Sequence, residues 1–244
     1  VLSLNKDIQL WETREIAAKY LSGVRGAIPL AAEQIEVMLM LVKGAKINVN
    51  SFLDIGCGDG VLAAAILEHF PNAKTVLLDI SEPMIESAKE KLSIYNNTDF
   101  IVCDYGRKDW LNRVSNSTPF DLIVSGFSIH HQPDVRKHEL YEEFFNMLNV
   151  NGLFINIEQV LSPTKWIESI FDELFIDSLY KMHLKQGNSI SRDEVAEFWF
   201  NRPDINDNIL ALVETQCQWL RQIGYRDVDC YFKILELAVF GGRK

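Results

Sequence analysis

The chain has no run of about eighteen apolar residues, the length a membrane-spanning helix needs, so no membrane partner is expected. It has no basic-then-apolar N-terminal stretch of the kind that directs secretion. It begins with Val1 rather than Met, so native residues are expected ahead of it. Cysteine is scarce. Cys57, Cys103, Cys217 and Cys230 form no C-x-x-C pair, which excludes the usual metal-ligand spacing and predicts a cytosolic, reduced protein. Cations are outnumbered, with Lys+Arg 24 against Asp+Glu 34, a net charge of −10 and a pI near 5.0. A broad phosphate-binding surface needs clustered Lys and Arg, so nucleic acid is not the expected partner. No internal repeat or low-complexity tract is visible. What remains is 244 residues, 48% hydrophobic and 24% charged. That is an ordinary globular composition, long enough for one large α/β domain with additions.

The chain is organised around residues 52–60, Phe-Leu-Asp-Ile-Gly-Cys-Gly-Asp-Gly. Ser51 to Ile55 is a short, mostly apolar run that reads as a buried strand. Gly56, Gly58 and Gly60 follow at alternate positions, and Val61 to Glu68 is rich in strong helix formers. Strand, glycine turn and helix succeed one another. Glycine lets the backbone turn at positive φ and approach a ligand without a Cβ clash. A helix start adds unsatisfied N–H groups. The dinucleotide fingerprint G-x-G-x-x-G would put its third glycine at Val61, so the spacing here is G-x-G-x-G, preceded by Asp54. Cys57 reads as a space-filler in this turn.

On either side, Ile8–Gly23 and Leu30–Lys43 read as helices, with Gly44 closing the second as a residue beyond its C-cap. Arg25 lies between them, where an arginine can clamp a carboxylate. Ala73–Ile80 reads as a second strand ending in Asp79, with Ser81 as N-cap of the next helix. An acidic residue roughly 20 residues past such a turn is placed to hydrogen-bond ribose hydroxyls. Asp99–Cys103 is a third strand, followed by Asp104-Tyr105; Cys103 reads as a small buried hydrophobe. Phe120–Val124 is a fourth strand, followed by Ser125-Gly126-Phe127-Ser128-Ile129-His130-His131. Asp134 caps a helix to Leu148, residues 149–152 turn, and Leu153–Gln159 is a fifth strand. Beyond it, Thr164–Lys185 and Arg192–Asn201 read as helices, the second capped by Ser191. Ile209–Ile223 is a helix stopped by Gly224. Val228–Ile234 and Leu235–Phe240 read as a final hairpin, with residues 241–244 as a polar end.

Taken together, residues 54–60, Asp79, Asp104, residues 119–124 and the turn after Leu148 resemble the class I S-adenosylmethionine (SAM) dependent methyltransferases over about residues 45 to 160. The family's first motif is written [DE]-x-G-x-G-x-G, and every fixed position is met. The resemblance implies an α/β, Rossmann-like, seven-stranded, mostly parallel sheet with an antiparallel last strand. Residues 1–44 would form a helical cap, 45–160 the cofactor-binding core, 161–208 a helical lid and 209–244 the last helix and two strands. It implies SAM as cofactor and S-adenosyl-L-homocysteine (SAH) as product. Asp54, Gly56, Gly58 and Gly60 would cradle it, Asp79 would take the ribose, Met84 would lie over the adenine and Asp104 would meet the adenine amino group. Ile80, Tyr105 and Ser125, next to these positions, are further expected contacts. The stretch Arg25 to Pro29 also resembles, more weakly, the cap of bacterial carboxy-SAM synthases, in which Arg25 would bind the cofactor.

Methyl transfer is an in-line displacement in which positioning supplies much of the acceleration. A base is needed only where the nucleophile arrives protonated. His130 and His131, just past the fourth strand, are the candidate catalytic bases, because imidazole titrates in the right range. Glu158 is a second candidate. The aromatics of residues 164–201 predict a lid over a small, partly apolar acceptor. Phe198, Trp199 and Phe200 are consecutive and cannot share one helix face. A carboxy-SAM synthase-like or tRNA-modifying enzyme, and a SAM-binding protein without chemistry, are the alternatives. A homodimer is left open.

Overall fold

The computed structural model describes residues 25–202 and 205–244. The helix expected over Ile8–Gly23 lies outside the described residues, and so does the side chain of Arg25, whose backbone opens a helical turn, Arg25–Ala27. The chain then alternates. Helix α1 (Ala31–Gly44) leads to β1 (Ser51–Ile55), α2 (Val61–Leu67), β2 (Lys74–Asp79), α3 (Glu82–Lys91) and β3 (Thr98–Val102). β4 (Phe120–Gly126), α4 (Asp134–Met147) and β5 (Leu148–Gln159) follow. Then come α5 (Lys165–Lys185), α6 (Arg192–Phe200), α7 (Val213–Ile223), β6 (Arg226–Ile234) and β7 (Leu237–Arg243).

The seven strands form one sheet in the order β3-β2-β1-β4-β5-β7-β6. β1 pairs in parallel with both β2 and β4, and β4 with β5, while β7 runs antiparallel between β5 and β6. The expected seven-stranded, mostly parallel sheet with an antiparallel last strand is therefore present. The strand order reverses between β1 and β4, the place where open α/β sheets bind ligands beyond their carboxyl ends. Both faces are covered, as a parallel sheet requires. On one face Met38, Leu62, Ile66 and Ile85 of α1 to α3 pack on Phe52, Leu77 and Ile155. On the other, Leu140, Tyr141 and Phe144 of α4 and Cys217 and Leu220 of α7 pack on Leu53, Ile123 and Phe154. No helix among the described residues is long and apolar enough to cross a membrane.

Several boundaries differ from the sequence reading, each for a local reason. The expected turn at residues 149–152 lies inside β5. The strand starts at Leu148, paired with Phe120, and absorbs the extra residues in a bulge with Asn151 at φ 67°. The expected polar end, residues 241–244, is mostly sheet: Gly241 pairs with Ile155, and a Cβ there would lie 2.0 Å from the Phe154 carbonyl oxygen. Gly44 is the last helical residue of α1, and the left-handed position falls on Lys46 at φ 53°. Pro133, not Asp134, occupies the N-cap of α4, and the Asp134 carboxylate accepts from Lys137 Nζ instead. α7 begins at Val213 rather than Ile209, because the preceding residues are drawn out as an irregular strap. Cys103 is half-buried rather than buried. Two other expected caps hold, with Ser191 and Glu194 making a capping box and Gly224 ending α7 at φ 117°, while Thr164, expected inside its helix, is the N-cap of α5, its Oγ1 accepting from Ile167 N–H.

Candidate functional site

At the carboxyl end of β1 the three glycines turn the chain in the left-handed region, Gly56 at φ 61°, Gly58 at 54° and Gly60 at 75°. Only glycine adopts such a run without strain. Asp79, at the end of β2, reaches across to this turn. Its Oδ2 accepts from Gly58 N–H at 2.8 Å and its Oδ1 from Ser81 N–H at 2.8 Å. Burial raises the Asp79 carboxyl above the ordinary range, against the pull of the Ser81, Gly58 and Ile80 backbone donors. A carboxylate offers about four lone-pair sites, more than these three backbone donors take, so the group that fixes the turn can also accept a hydroxyl donor. Ser81, read from sequence as a capping hydroxyl, makes no cap bond; its Oγ is buried without a hydrogen-bond partner in the structure.

The other expected cofactor positions are placed as follows. Asp54 is fully buried and accepts from Ala63 N–H at 3.2 Å, tying β1 to α2. Asp104, past β3, accepts from Gly106 N–H at 2.7 Å. Ser125, fully buried on β4, donates to the Ile55 carbonyl at 2.8 Å. Met84 is buried in the first turn of α3 and Ile80 is half-buried beside Asp79. The Tyr105 hydroxyl donates to the Ser128 carbonyl at 2.8 Å and lies 2.6 Å from Ser128 Oγ. Burial pushes that phenol well above its ordinary range. Ser128 also lies against the glycine turn: a Cβ on Gly56 would sit 1.8 Å from its Oγ. The glycine turn, Tyr105 and the segment leading into the two histidines are therefore in direct contact.

Those histidines occupy a single 3-10 turn, Ile129–His131, with ring centroids 4.0 Å apart. They differ in partners. His130 is 7% exposed, and its Nδ1 lies 2.5 Å from Glu158 Oε1. Glu158 Oε2 accepts the His130 backbone N–H at 3.0 Å. Glu158, 1% exposed near the end of β5, thus fixes both ring and backbone of His130, and pairs through Nδ1 so that Nε2 is the other functional nitrogen. His131 Nδ1 instead lies 3.2 Å from the Asp207 carbonyl oxygen. Burial first, then the neighbouring His130, pushes the His131 imidazole down to about 3.

Helices α5 and α6 pack at this edge. Phe171, Phe175, Ile176 and Leu179 of α5 and Val195 and Trp199 of α6 form one apolar cluster with Ala27, Ile28 and Leu237, and Phe127 borders it. Phe127 directly follows β4, and Leu237 begins β7 opposite Gln159, the last residue of β5. The cluster therefore sits at the carboxyl edge of the sheet, on the side of the glycine turn and the histidines. Trp199 is the fastener. It stacks on Phe175 at 4.3 Å, donates from Nε1 to Asp172 at 2.9 Å and carries Arg202 over its ring at 3.7 Å. Of the three consecutive aromatics only Trp199 is buried; Phe198 and Phe200 are 50% and 51% exposed.

Sequence reasoning missed Ser128, Lys137 and the strap of residues 205–211. Ser128 and the strap act through backbone or through partners far along the chain. Lys137 left one trace, an acidic residue three positions earlier on the same helix.

Comparison with known proteins fits this geometry. A methyltransferase-domain family model matches residues 53–154, from β1 into β5. The chain is similar to a malonyl-acyl-carrier-protein O-methyltransferase of Ilyobacter polytropus, 36% identical over 124 residues, which is 50% of this chain and 41% of the relative. The matched stretch is thus less than two thirds of that protein. It is also similar, over nearly its whole length, to a carboxy-S-adenosyl-L-methionine synthase of Helicobacter pylori: 24% identical over 225 residues, 89% of this chain and 87% of the relative. Among solved structures, human N-acetylserotonin methyltransferase in complex with SAM shares the fold, with TM-score 0.51 and 16% identity over 99% of this chain and 56% of that one.

Proposed function

We infer that this chain is a class I SAM-dependent methyltransferase and that it transfers a methyl group from SAM to a small, partly apolar acceptor, with His130 as base. The observation that carries this reading is one juxtaposition. The glycine turn touches Ser128, and two residues later His130 is held by a buried carboxylate, at the same carboxyl edge as the α5–α6 apolar cluster.

The residues present fit the cofactor. Three left-handed glycines leave bare backbone, Asp79 keeps a lone pair for a ribose hydroxyl, and the buried Ser81 hydroxyl stands beside it with no hydrogen-bond partner among the described residues. Asp104, Tyr105, Ile80 and Met84 are assigned to the adenosine end, with Asp54, Gly60 and Ser125 as framework beneath it. When bound, SAM supplies an electrophilic methyl on a sulfonium. The chain's part is to position the acceptor, exclude water and take a proton. Glu158 holds His130 so that Nε2 accepts the proton, and stabilises the imidazolium that results, the logic of an oriented acid–base pair. His131, neutral down to about pH 3, is a poor base, so the role falls to His130. Phe127 and the α5–α6 cluster supply the apolar wall that suits a small acceptor and sheds water from the site.

The test is SAH release from SAM with a panel of small phenols and amines. His130→Asn should lower turnover about 10²-fold or more while retaining SAH affinity. Wild-type turnover in that variant would remove His130 from the mechanism. A second reading, formation of a carboxylated SAM, is favoured by the near full-length similarity to carboxy-SAM synthase. It calls on Arg25 as the carboxylate's cation, and a mass spectrum of the co-purified nucleoside separates the two.

A further inference from the structure

Residues 205–211 run from the end of the lid region to α7, and they lie across the dihistidine turn. Three bonds fasten them there. Ile209 N–H donates to the His130 carbonyl at 2.9 Å, the Asp207 carbonyl faces His131 Nδ1 at 3.2 Å, and the Ile209 carbonyl accepts from Lys137 Nζ. Further along, the Ala211 carbonyl accepts from Leu161 N–H at 3.0 Å and from Gln216 Nε2 at 3.2 Å, while Gln216 Oε1 accepts from the Tyr141 hydroxyl at 2.6 Å. None of the strap's own residues, nor Lys137, belongs to the cofactor cradle or to the His130–Glu158 pair.

Two features make this more than a surface loop. Lys137 is 1% exposed, and its Nζ also meets Asp134 Oδ1 at 2.8 Å. A buried amine is costly unless it is fully engaged, and a large part of its engagement here is the strap. The second feature is chemical. A backbone carbonyl can only accept, so His131 must carry its proton on Nδ1 to bond Asp207. Burial disfavours the doubly protonated ring, so the strap selects one neutral tautomer. The same strap holds the His130 carbonyl, and His130 and His131 are adjacent rings.

We propose that Lys137 is a positioning residue for the base. It pins the strap at Ile209, and the strap sets the His131 tautomer and the backbone placement of His130. This rests on the reading of His130 as the base only for its catalytic consequence; the tautomer and the strap are measurable without any acceptor.

The experiment is nitrogen-15 imidazole spectroscopy on the whole chain, with SAH titration as the check of folding. In the wild type, His131 should report the Nδ1–H tautomer. In Lys137→Met, which keeps the side chain's length and removes its donor, His131 should lose its uniform Nδ1–H state, with an Nε2–H population appearing. Ile209 amide exchange should also rise at least about tenfold. A folded Lys137→Met protein with His131 and Ile209 unchanged would overturn the proposal. If Lys137→Met does not fold, the wild-type spectrum decides alone: Nδ1–H at His131 supports the strap's role, and an Nε2–H tautomer there overturns it. A failure to bind SAH with the expected tautomers intact would count against the cofactor assignment and not against the strap.

Discussion

The cofactor-side half of the molecule and the lid-side half are fastened by different kinds of bond. Around the glycine turn, carboxylates bind backbone donors close by in space: Asp79 takes Gly58 and Ser81, Asp54 takes Ala63, and Asp104 takes Gly106. Around the histidines and the lid, side chains reach partners far along the chain: His130 to Glu158, His131 to Asp207, Lys137 to Ile209 and Trp199 to Asp172. The first arrangement fixes a backbone shape, so it constrains residue type at fixed spacing. The second fixes side chains on elements that meet only after folding. A single change in the first half should weaken or abolish ligand binding, whereas a change in the second should alter stability or turnover and leave cofactor affinity standing.

The largest effect is expected at Gly56. Alanine there places a Cβ 1.8 Å from Ser128 Oγ on a residue at φ 61°. Ser128 would have to leave Tyr105, and the strained backbone alone costs about 1–3 kcal/mol. Gly56→Ala should lose SAH binding in calorimetry; retention of wild-type affinity would remove the contact between the glycine turn and Ser128 from the account.

Next comes Trp199→Ala. It deletes the stack on Phe175, the bond to Asp172 and the ring beneath Arg202. Removing a buried tryptophan typically costs about 3–5 kcal/mol, so the melting temperature should drop well below that of the wild type. SAH affinity of the folded protein should stay near normal. Equal loss of stability and of SAH affinity would erase the distinction between the two halves.

Acid gives a smaller, graded effect. His131 takes up a proton at its ordinary value, 6.5, when unfolded but only near about 3 when folded. As pH falls through that window the unfolded chain binds the extra proton and the native state does not, so stability declines. His131→Gln should flatten that part of the stability–pH curve measured by denaturant titration. A curve of unchanged slope would mean that His131 is protonated in the native state. The smallest effect belongs to the half-exposed Phe200, where Phe200→Ser should change stability by no more than about 0.5 kcal/mol. A large loss there would reveal a contact that Trp199 does not account for.

The same contrast explains what the sequence disclosed. The glycine turn was legible because left-handed backbone admits few residues, and Asp79 because strand ends at a switch point face one crevice. The caps at Ser191 and Gly224 were legible for the same local reason. The split among Phe198, Trp199 and Phe200 followed from helix geometry, although which residue turned inward did not. The bulge in β5 was hidden because a turn-forming tetrad suits a bulge as well as a reversal. The end of the strap, residues 209–211, was read as the start of a helix because it carries an apolar pattern, while its bonds come from Leu161, Gln216 and the histidine turn. Histidine and glutamate were both visible as candidates, but their pairing depends on β4 lying beside β5.

The central claim is that Asp79 and the glycine turn form a SAM site. Calorimetric titration of SAH into the wild type and Asp79→Ala tests it most directly. Asp79 holds the turn through Gly58 and is assigned to ribose hydroxyls, and a charge-assisted hydrogen bond contributes about 1.5–3 kcal/mol. The account predicts one SAH bound per wild-type chain and an affinity at least roughly tenfold weaker in Asp79→Ala. No binding to the wild type, or equal affinity in both proteins, would contradict it.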